Sequence, residues 1–207
     1  LAEYGFTNGE GLYTDMNAIR RDEVTDNIHS MFVDQWDWEK IIAHEERTPE
    51  TLKETVRLIY RALRDTEAYI AKEYSFIAPI LPDEIRFVTT QELEDRWPDK
   101  TPKEREYNIA KEHGAVFIMQ IGGALKSGEI HDGRAPDYDD WALNGDIIVY
   151  YPVLDIPFEL SSMGIRVDEE SLVRQLEIRG CTERLSLPFH RALMEKKLPY
   201  TIGGGIG

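Results

Sequence analysis

The sequence predicts an α+β domain in which a mostly antiparallel sheet is flanked by helices. Three observations carry that expectation. Segments with period-two alternation lie close together, joined by connections too short to hold a crossover helix. Capped helical stretches are inserted between some strands instead of following every one. At 207 residues, with 42% hydrophobic and 10% aromatic residues, the chain is long enough for one domain with a substantial core.

Gly11 to about Arg20 and His29 to Trp38 read as an antiparallel strand pair across the polar loop Arg20–Asn27. Thr48 caps a helix with Pro49 at its first position, and the stripe Leu52, Val56, Ile59, Leu63, Thr66, Ile70 should face the core. Ile85 to Val88 is a short strand. Thr101 and Glu104 form a capping box that opens a helix ending near Gly114. Ala115 to Gln120 is a buried strand, closed by Gly122 and Gly123, and an acidic loop runs from His131 to Trp141. Asp146 to Tyr151 is nearly all apolar and reads as a central strand. Phe158 to Arg166 alternates beside it, with Phe158 and Leu160 on one face and Glu159 and Ser161 on the other. Asp168 caps a helix that stops at Gly180, and a shorter one runs from Pro188 to about Lys196.

Charge and cysteine content narrow the function classes. A formal charge of −15 opposes a broad nucleic-acid surface, which needs a basic field, but allows a small anion held by a few arginines. The one cysteine, Cys181, has no internal partner, so a reducing, cytoplasmic setting is expected. No membrane span or signal-peptide pattern is present in the sequence.

Familiar signatures fail one by one. Gly122 to Ser127 lacks the glycine directly before lysine that a phosphate-binding loop needs. Gly203 to Gly207 has no suitable preceding strand for a dinucleotide fingerprint. His44-Glu45 has no second histidine four positions on, and no Gly-x-Ser-x-Gly occurs.

What remains is a set of charged groups on strands. A carboxylate on a central strand is costly unless a cation pairs with it, and Arg166 and a divalent ion are the candidates for Glu159. Asp146 and Glu159 lie on adjacent strands, where a shared Mg²⁺ would offset their repulsion. Gln35 and Asp37 share one strand face while Trp36 and Trp38 share the other; a half-exposed strand with polar groups in water is the competing reading. Asp137, Asp139 and Asp140 crowd one loop, which reads equally as a solvated turn. Arg20 alone is no better than a surface arginine.

The strings Gly9-Glu-Gly-Leu-Tyr-Thr14, Val33-Asp-Gln-Trp-Asp-Trp-Glu39, Arg134-Ala-Pro-Asp-Tyr-Asp-Asp-Trp141, Leu143-Asn-Gly-Asp146, Phe158 through Val167 and Thr201-Ile-Gly-Gly-Gly-Ile-Gly207 closely resemble the ammonia-dependent asparagine synthetases, the aspartate–ammonia ligases. The blocks follow the family's order from one end of the chain to the other. The resemblance implies a core like that of class II aminoacyl-tRNA synthetases, a homodimer, and ATP-dependent amidation of L-aspartate by ammonia through β-aspartyl adenylate, with Mg²⁺. It implies no nucleic-acid or membrane partner.

By position, Arg20 matches the arginine that contacts the α-phosphate and the reacting carboxylate, with Arg21 as a competing alignment. Gln35 matches a group beside that carboxylate, and His29 falls with the nucleotide contacts. Asp146 and Glu159 match the Mg²⁺ carboxylates, and Arg166 the partner of the substrate α-carboxylate. Asp139 and Asp37 are suited to an ammonium group; Ser161, Ser162 and Gly205 would line the pocket. Residues 1–207 are expected to form a single catalytic domain lacking three segments of the family: one before Leu1, one after Gly207 and a polar loop after Trp141. The rival readings are an aspartyl-type tRNA synthetase core and a non-catalytic adenylate-binding relative.

Overall fold

A computed structural model describes residues 1–207. Seven strands form one sheet: β1 (Gly11–Ile19), β2 (Phe32–Ile42), β3 (Arg86–Thr89), β4 (Ala115–Met119), β5 (Asp139–Tyr151), β6 (Ile156–Arg166) and β7 (Tyr200–Ile206). Their order is β1-β2-β7-β6-β5-β4-β3. Every neighbouring pair is antiparallel except β3 with β4. The helices are α1 (Pro49–Glu73), α2 (Thr90–Arg96), α3 (Pro102–His113), α4 (Glu169–Arg179) and α5 (Pro188–Met194). The α+β class with a mostly antiparallel sheet thus stands as the sequence predicts. No helix is long and apolar enough to cross a membrane.

The helix starts follow their capping chemistry. Thr48 Oγ1 accepts from the Thr51 N–H at 3.2 Å, and Thr101 with Glu104 closes a full capping box. Gly180 ends α4 at φ +65°, a left-handed turn that costs glycine little. Three expectations need correction. Thr66 is exposed and Ile70 is 39% exposed: at 25 residues α1 extends about 37 Å and outruns the sheet beneath it. Helix α5 stops at Met194 because Lys196 adopts a left-handed φ of +56°. Residues 139–141 are not loop but the start of β5, and the unforeseen β7 fills the gap between β2 and β6.

The two faces of the sheet are covered differently. On one, Leu52, Val56 and Tyr60 of α1 pack on Phe117, Ile147, Val149, Met163, Ile165 and Ile202. On the other, Leu93, Ile109 and Ala110 of α2 and α3 cover Val116, Ile118 and Ile148, at the β4–β5 end only. Fully burying a side chain of this size contributes about 1.5–3 kcal/mol. A third cluster joins Val167 to Leu172, Leu176 and Leu193 of α4 and α5. The second face therefore stays open over β2, β7 and β6.

Candidate functional site

That open face is a cleft of about 540 Å³. Alternation aims Gln35, Asp37 and Glu39 of β2 away from Trp38, which packs on the α1 side. The register then builds a cross-strand row: Asp37 lies opposite Gly205, Gly205 opposite Ser162, and Ser162 opposite Asp146. At about 4.8 Å per strand the row spans about 14 Å.

Glycines make the middle of this row possible. A Cβ on Gly205 would sit 2.2 Å from Gln35 Nε2, and one on Gly203 would sit 2.1 Å from Glu39 Oε2 and 2.6 Å from Arg166 Nη2. With no side chain at Gly203 or Gly205, groups from β2 and β6 meet above this part of β7. Gln35 Nε2 donates to Asp37 Oδ1 at 2.6 Å, and Glu39 takes Arg166 Nη2 at 2.8 Å and Nε at 3.1 Å.

Arg166 is the most heavily engaged cation in the cleft. Its Nη1 also pairs with Asp139, and its guanidinium lies 4.0 Å from the centre of the Tyr138 ring. Arg166 is therefore not the partner of Glu159, against the first of the two candidates: Asp139 lies opposite Arg166 in the β5–β6 register, while Glu159 is seven positions back along β6. Three of the five guanidinium N–H groups are used, so the outer edge can still receive a carboxylate. Burial raises the Asp139 carboxyl above its ordinary range, against the pull of Arg166.

The second acidic group lies around Asp146. This carboxylate is 3% exposed, its Oδ2 is paired with Arg134 and its Oδ1 has no hydrogen-bond partner. Burial raises its pKa, and Arg134 opposes the rise. Glu159 lies one strand over. Restricted access to water and then the Asp146 charge push it up to about 7, although its side chain still opens on solvent at the cleft wall.

A bulge shapes this part of β6. Ile147 and Ile148 on β5 oppose Ser161 and Glu159, leaving Leu160 as an extra residue. The extra residue overturns the expectation that Glu159 and Ser161 share a face: Ser161 lies opposite Ile147 and Ile206 on the α1 side, while Ser162, opposite Asp146, and Glu159 face the cleft. Ser161 Oγ donates to the Gly205 carbonyl at 2.7 Å, tying β6 to β7.

Ten of the eleven residues singled out from the sequence line this one cleft: Arg20, His29, Gln35, Asp37, Asp139, Glu159, Ser161, Ser162, Arg166 and Gly205. The eleventh, Asp146, lies beneath it and is reached through Arg134. The competing arginines separate cleanly: Arg20 lines the cleft, whereas Arg21 is 88% exposed and paired with Asp22. His29 caps its loop against Asp26 at 2.9 Å.

Sequence reasoning missed Arg134, Glu39 and Arg47. Arg47 is buried and clamps the end of β6, donating to the Arg166 carbonyl and pairing with Asp140 and Asp168 at 3.1 Å each. The point after Trp141 where the resemblance implies an extra loop lies inside β5, within the register shift between Asp139 and Asn144. Gln175 holds that irregular stretch: its amide donates to the carbonyls of Pro136 and Asp139 and accepts from the Trp141 N–H, at 2.8–3.0 Å.

No three His, Cys, Asp or Glu side chains converge as a ready metal cage. The residues nonetheless fit Mg²⁺, which takes one or two carboxylates and fills its shell with water and phosphate oxygens. An unpartnered Asp146 Oδ1 beside a Glu159 with a raised pKa is such a pair.

A family model described as aspartate–ammonia ligase matches residues 1–207. The chain is 67% identical over 207 residues to an aspartate–ammonia ligase of Clostridium perfringens, covering 100% of this chain and 62% of that protein. Against the one from Ruminiclostridium cellulolyticum identity is 64%, with the same coverage. The chain thus spans about 62% of the length of these curated relatives. Among solved structures, asparaginyl-tRNA synthetase from Pyrococcus horikoshii complexed with asparaginyl-adenylate matches with a TM-score of 0.65 at 14% identity, over 100% of this chain and 48% of that one. Aspartyl-tRNA synthetase from Entamoeba histolytica gives 0.61 at 15%, over 95% and 43%. At such identities the structural likeness is one of fold.

Proposed function

The chain belongs to the aspartate–ammonia ligase family, and on that premise we propose that it serves the ATP-dependent amidation of L-aspartate by ammonia, releasing AMP and pyrophosphate. The observation that carries this reading is the cleft's charge layout, with Arg20 and Arg166 among its walls and the Asp146–Glu159 pair along one side. A carboxylate and a triphosphate repel each other, and fixed cations offset that repulsion where charge develops.

In the first step the substrate's side-chain carboxylate attacks the α-phosphorus. A new P–O bond forms and the bond to pyrophosphate breaks. Arg20 faces the α-phosphate and the attacking oxygen, and Gln35 orients that oxygen from its fixed position against Asp37. Arg166 takes the substrate α-carboxylate on its outer edge, while Glu39 and Asp139 keep the guanidinium in place. Mg²⁺ held by Asp146 and Glu159 would neutralise phosphate charge. In the second step the ammonia nitrogen attacks the acyl carbon, AMP leaves and nitrogen gives up a proton. Asp37 and Asp139 offer negative charge to an ammonium group, substrate or incoming. A homodimer in the cytoplasm belongs to the same proposal.

The test is formation of AMP and asparagine from aspartate, ATP and ammonium, with and without glutamine. Product in ammonium alone is expected. Product only with glutamine overturns the ammonia-dependent reading, and aminoacylation of tRNA in place of asparagine release overturns the ligase reading.

A further inference from the structure

On the side of the sheet opposite the cleft, α1 and β3 enclose a groove of about 750 Å³ whose charged lining is four arginines and His113 against the two carboxylates of Asp83 and Glu84. Arg57, Arg61 and Arg64 recur at i, i+4 and i+7 on one face of α1, and Arg86 enters from β3. Arg64 is held by Asp83, Nη2 to Oδ1 at 2.6 Å and Nη1 to the carbonyl at 3.0 Å. Arg57, Arg61 and Arg86 are exposed, and none has a carboxylate oxygen within the 4.0 Å of an ion pair.

This is an unusual use of arginine in a chain with 24 basic and 39 acidic residues. Carboxylates are plentiful, yet three guanidiniums on one groove go unpaired. Like charges at i, i+4 destabilise a helix face, so the cluster gains when a multiply charged anion enters. The walls are already set. Tyr60 Oη donates to the Pro82 carbonyl at 2.7 Å, Glu67 accepts from the Ile80 N–H at 2.7 Å, and the Arg57 guanidinium lies 5.0 Å from the centre of the Phe87 ring. The frame of the groove is therefore fixed before a ligand arrives, and the ordering left to binding is that of the exposed arginine side chains.

Size and spacing narrow the ligand. Helical rise separates Arg57 from Arg61 by about 6 Å and Arg61 from Arg64 by about 4.5 Å, which suits successive groups of one extended anion better than a single small ion. Guanidinium forks match phosphate oxygens bidentately. The volume lies in the range of small-molecule pockets, and the net charge of −15 repels a long nucleic acid. We propose that this groove binds a small anion carrying a chain of phosphates, either free or as part of a nucleotide.

The experiment titrates the intact protein by calorimetry, without Mg²⁺, against inorganic tripolyphosphate and against UTP. Binding is expected to weaken at least tenfold in R61A/R86A and to persist in the cleft variant D146N. In R61K/R86K, which retains the charge and loses the fork, several-fold weakening is expected, and this variant decides if the alanine variant fails to fold by circular dichroism. Tighter binding of UTP assigns the site to nucleotides, and tighter tripolyphosphate to the free chain. The proposal falls if the wild type binds neither, if R61A/R86A and R61K/R86K both retain full affinity, if D146N alone abolishes binding, or if a short single-stranded RNA binds more tightly than both probes.

Discussion

Replacing Gly205 by alanine separates the role of β7 as a strand from its role as a floor for polar side chains. The added Cβ would meet Gln35 Nε2 at 2.2 Å, Asp37 Oδ1 at 2.8 Å and Gln35 Cδ at 3.0 Å. All three are side-chain atoms, so the backbone can stay while Gln35 and Asp37 swing away. The fold then loses one charge-assisted hydrogen bond, about 1.5 kcal/mol net. Alanine over glycine within a strand returns about 0.5–1 kcal/mol. The balance is about 0.5–1 kcal/mol, a shift of about 1–4 °C in Tm for a chain of this size. Activity should suffer far more, because losing one aligned polar contact to a reacting group costs about 10²–10³-fold in kcat. Gly204 is the control: its Cβ would meet Met163 Cβ at 2.5 Å, the Ser162 carbonyl at 2.6 Å and Met163 Cα at 3.0 Å, and this backbone cannot retreat. G204A should therefore unfold at much lower temperature. Thermal melts paired with AMP-release kinetics read both effects. Wild-type kcat/KM in G205A, or a wild-type Tm in G204A, would refute the reasoning.

Three further outcomes are expected. Glu159, raised to about 7 in the fold, binds its proton more tightly there than in the unfolded chain, so its contribution to stability is present at acid pH and is lost as pH rises through 7. E159Q should accordingly melt higher than wild type at pH 8, the gap closing toward pH 5, while losing Mg²⁺-dependent AMP release; an equal gap at both pH values would count against the assignment. R134M leaves the buried Asp146 charge without its partner and should destabilise by about 3–5 kcal/mol at neutral pH, less in acid, read from urea midpoints at several pH values. Q175L orphans the Trp141 N–H and the Pro136 and Asp139 carbonyls, at about 1–3 kcal/mol each, and an m-corrected urea titration showing less than about 2 kcal/mol in all would argue that water replaces them.

Where sequence and structure agree or part has a physical pattern. Period-two alternation and capping are local rules, and they located β1, β2, β6, α1, α3 and α4 because those elements obey their own residues. Strand β7 escaped because Gly203, Gly204 and Gly205 carry no alternation and little strand preference; their extended form is imposed by β2 and β6 on either side. The start of β5 escaped because aspartates disfavour strands, and the ion pairs of Asp139 and Asp140 are with Arg166, Arg47 and Arg174, brought from far away in sequence. Most of the candidate site was legible through family-like strings. Glu39, Arg134 and Arg47 were not, since a lone charged residue shows its role only once its partner is placed beside it.

The position of β7 also bears on when the cleft comes into being. It is last of the seven strands in sequence and third in the sheet, and its register joins Asp37 to Gly205, 168 positions apart. The β5–β6 hairpin closes over residues 152–155 alone, whereas pairing β7 with β2 closes nearly the whole chain and carries a larger loop-closure cost. A chain emerging from synthesis carries its charged side chains long before it carries a cleft. The meeting of Gln35, Glu39 and Arg166 above Gly203 and Gly205 thus depends on the strand that is made last.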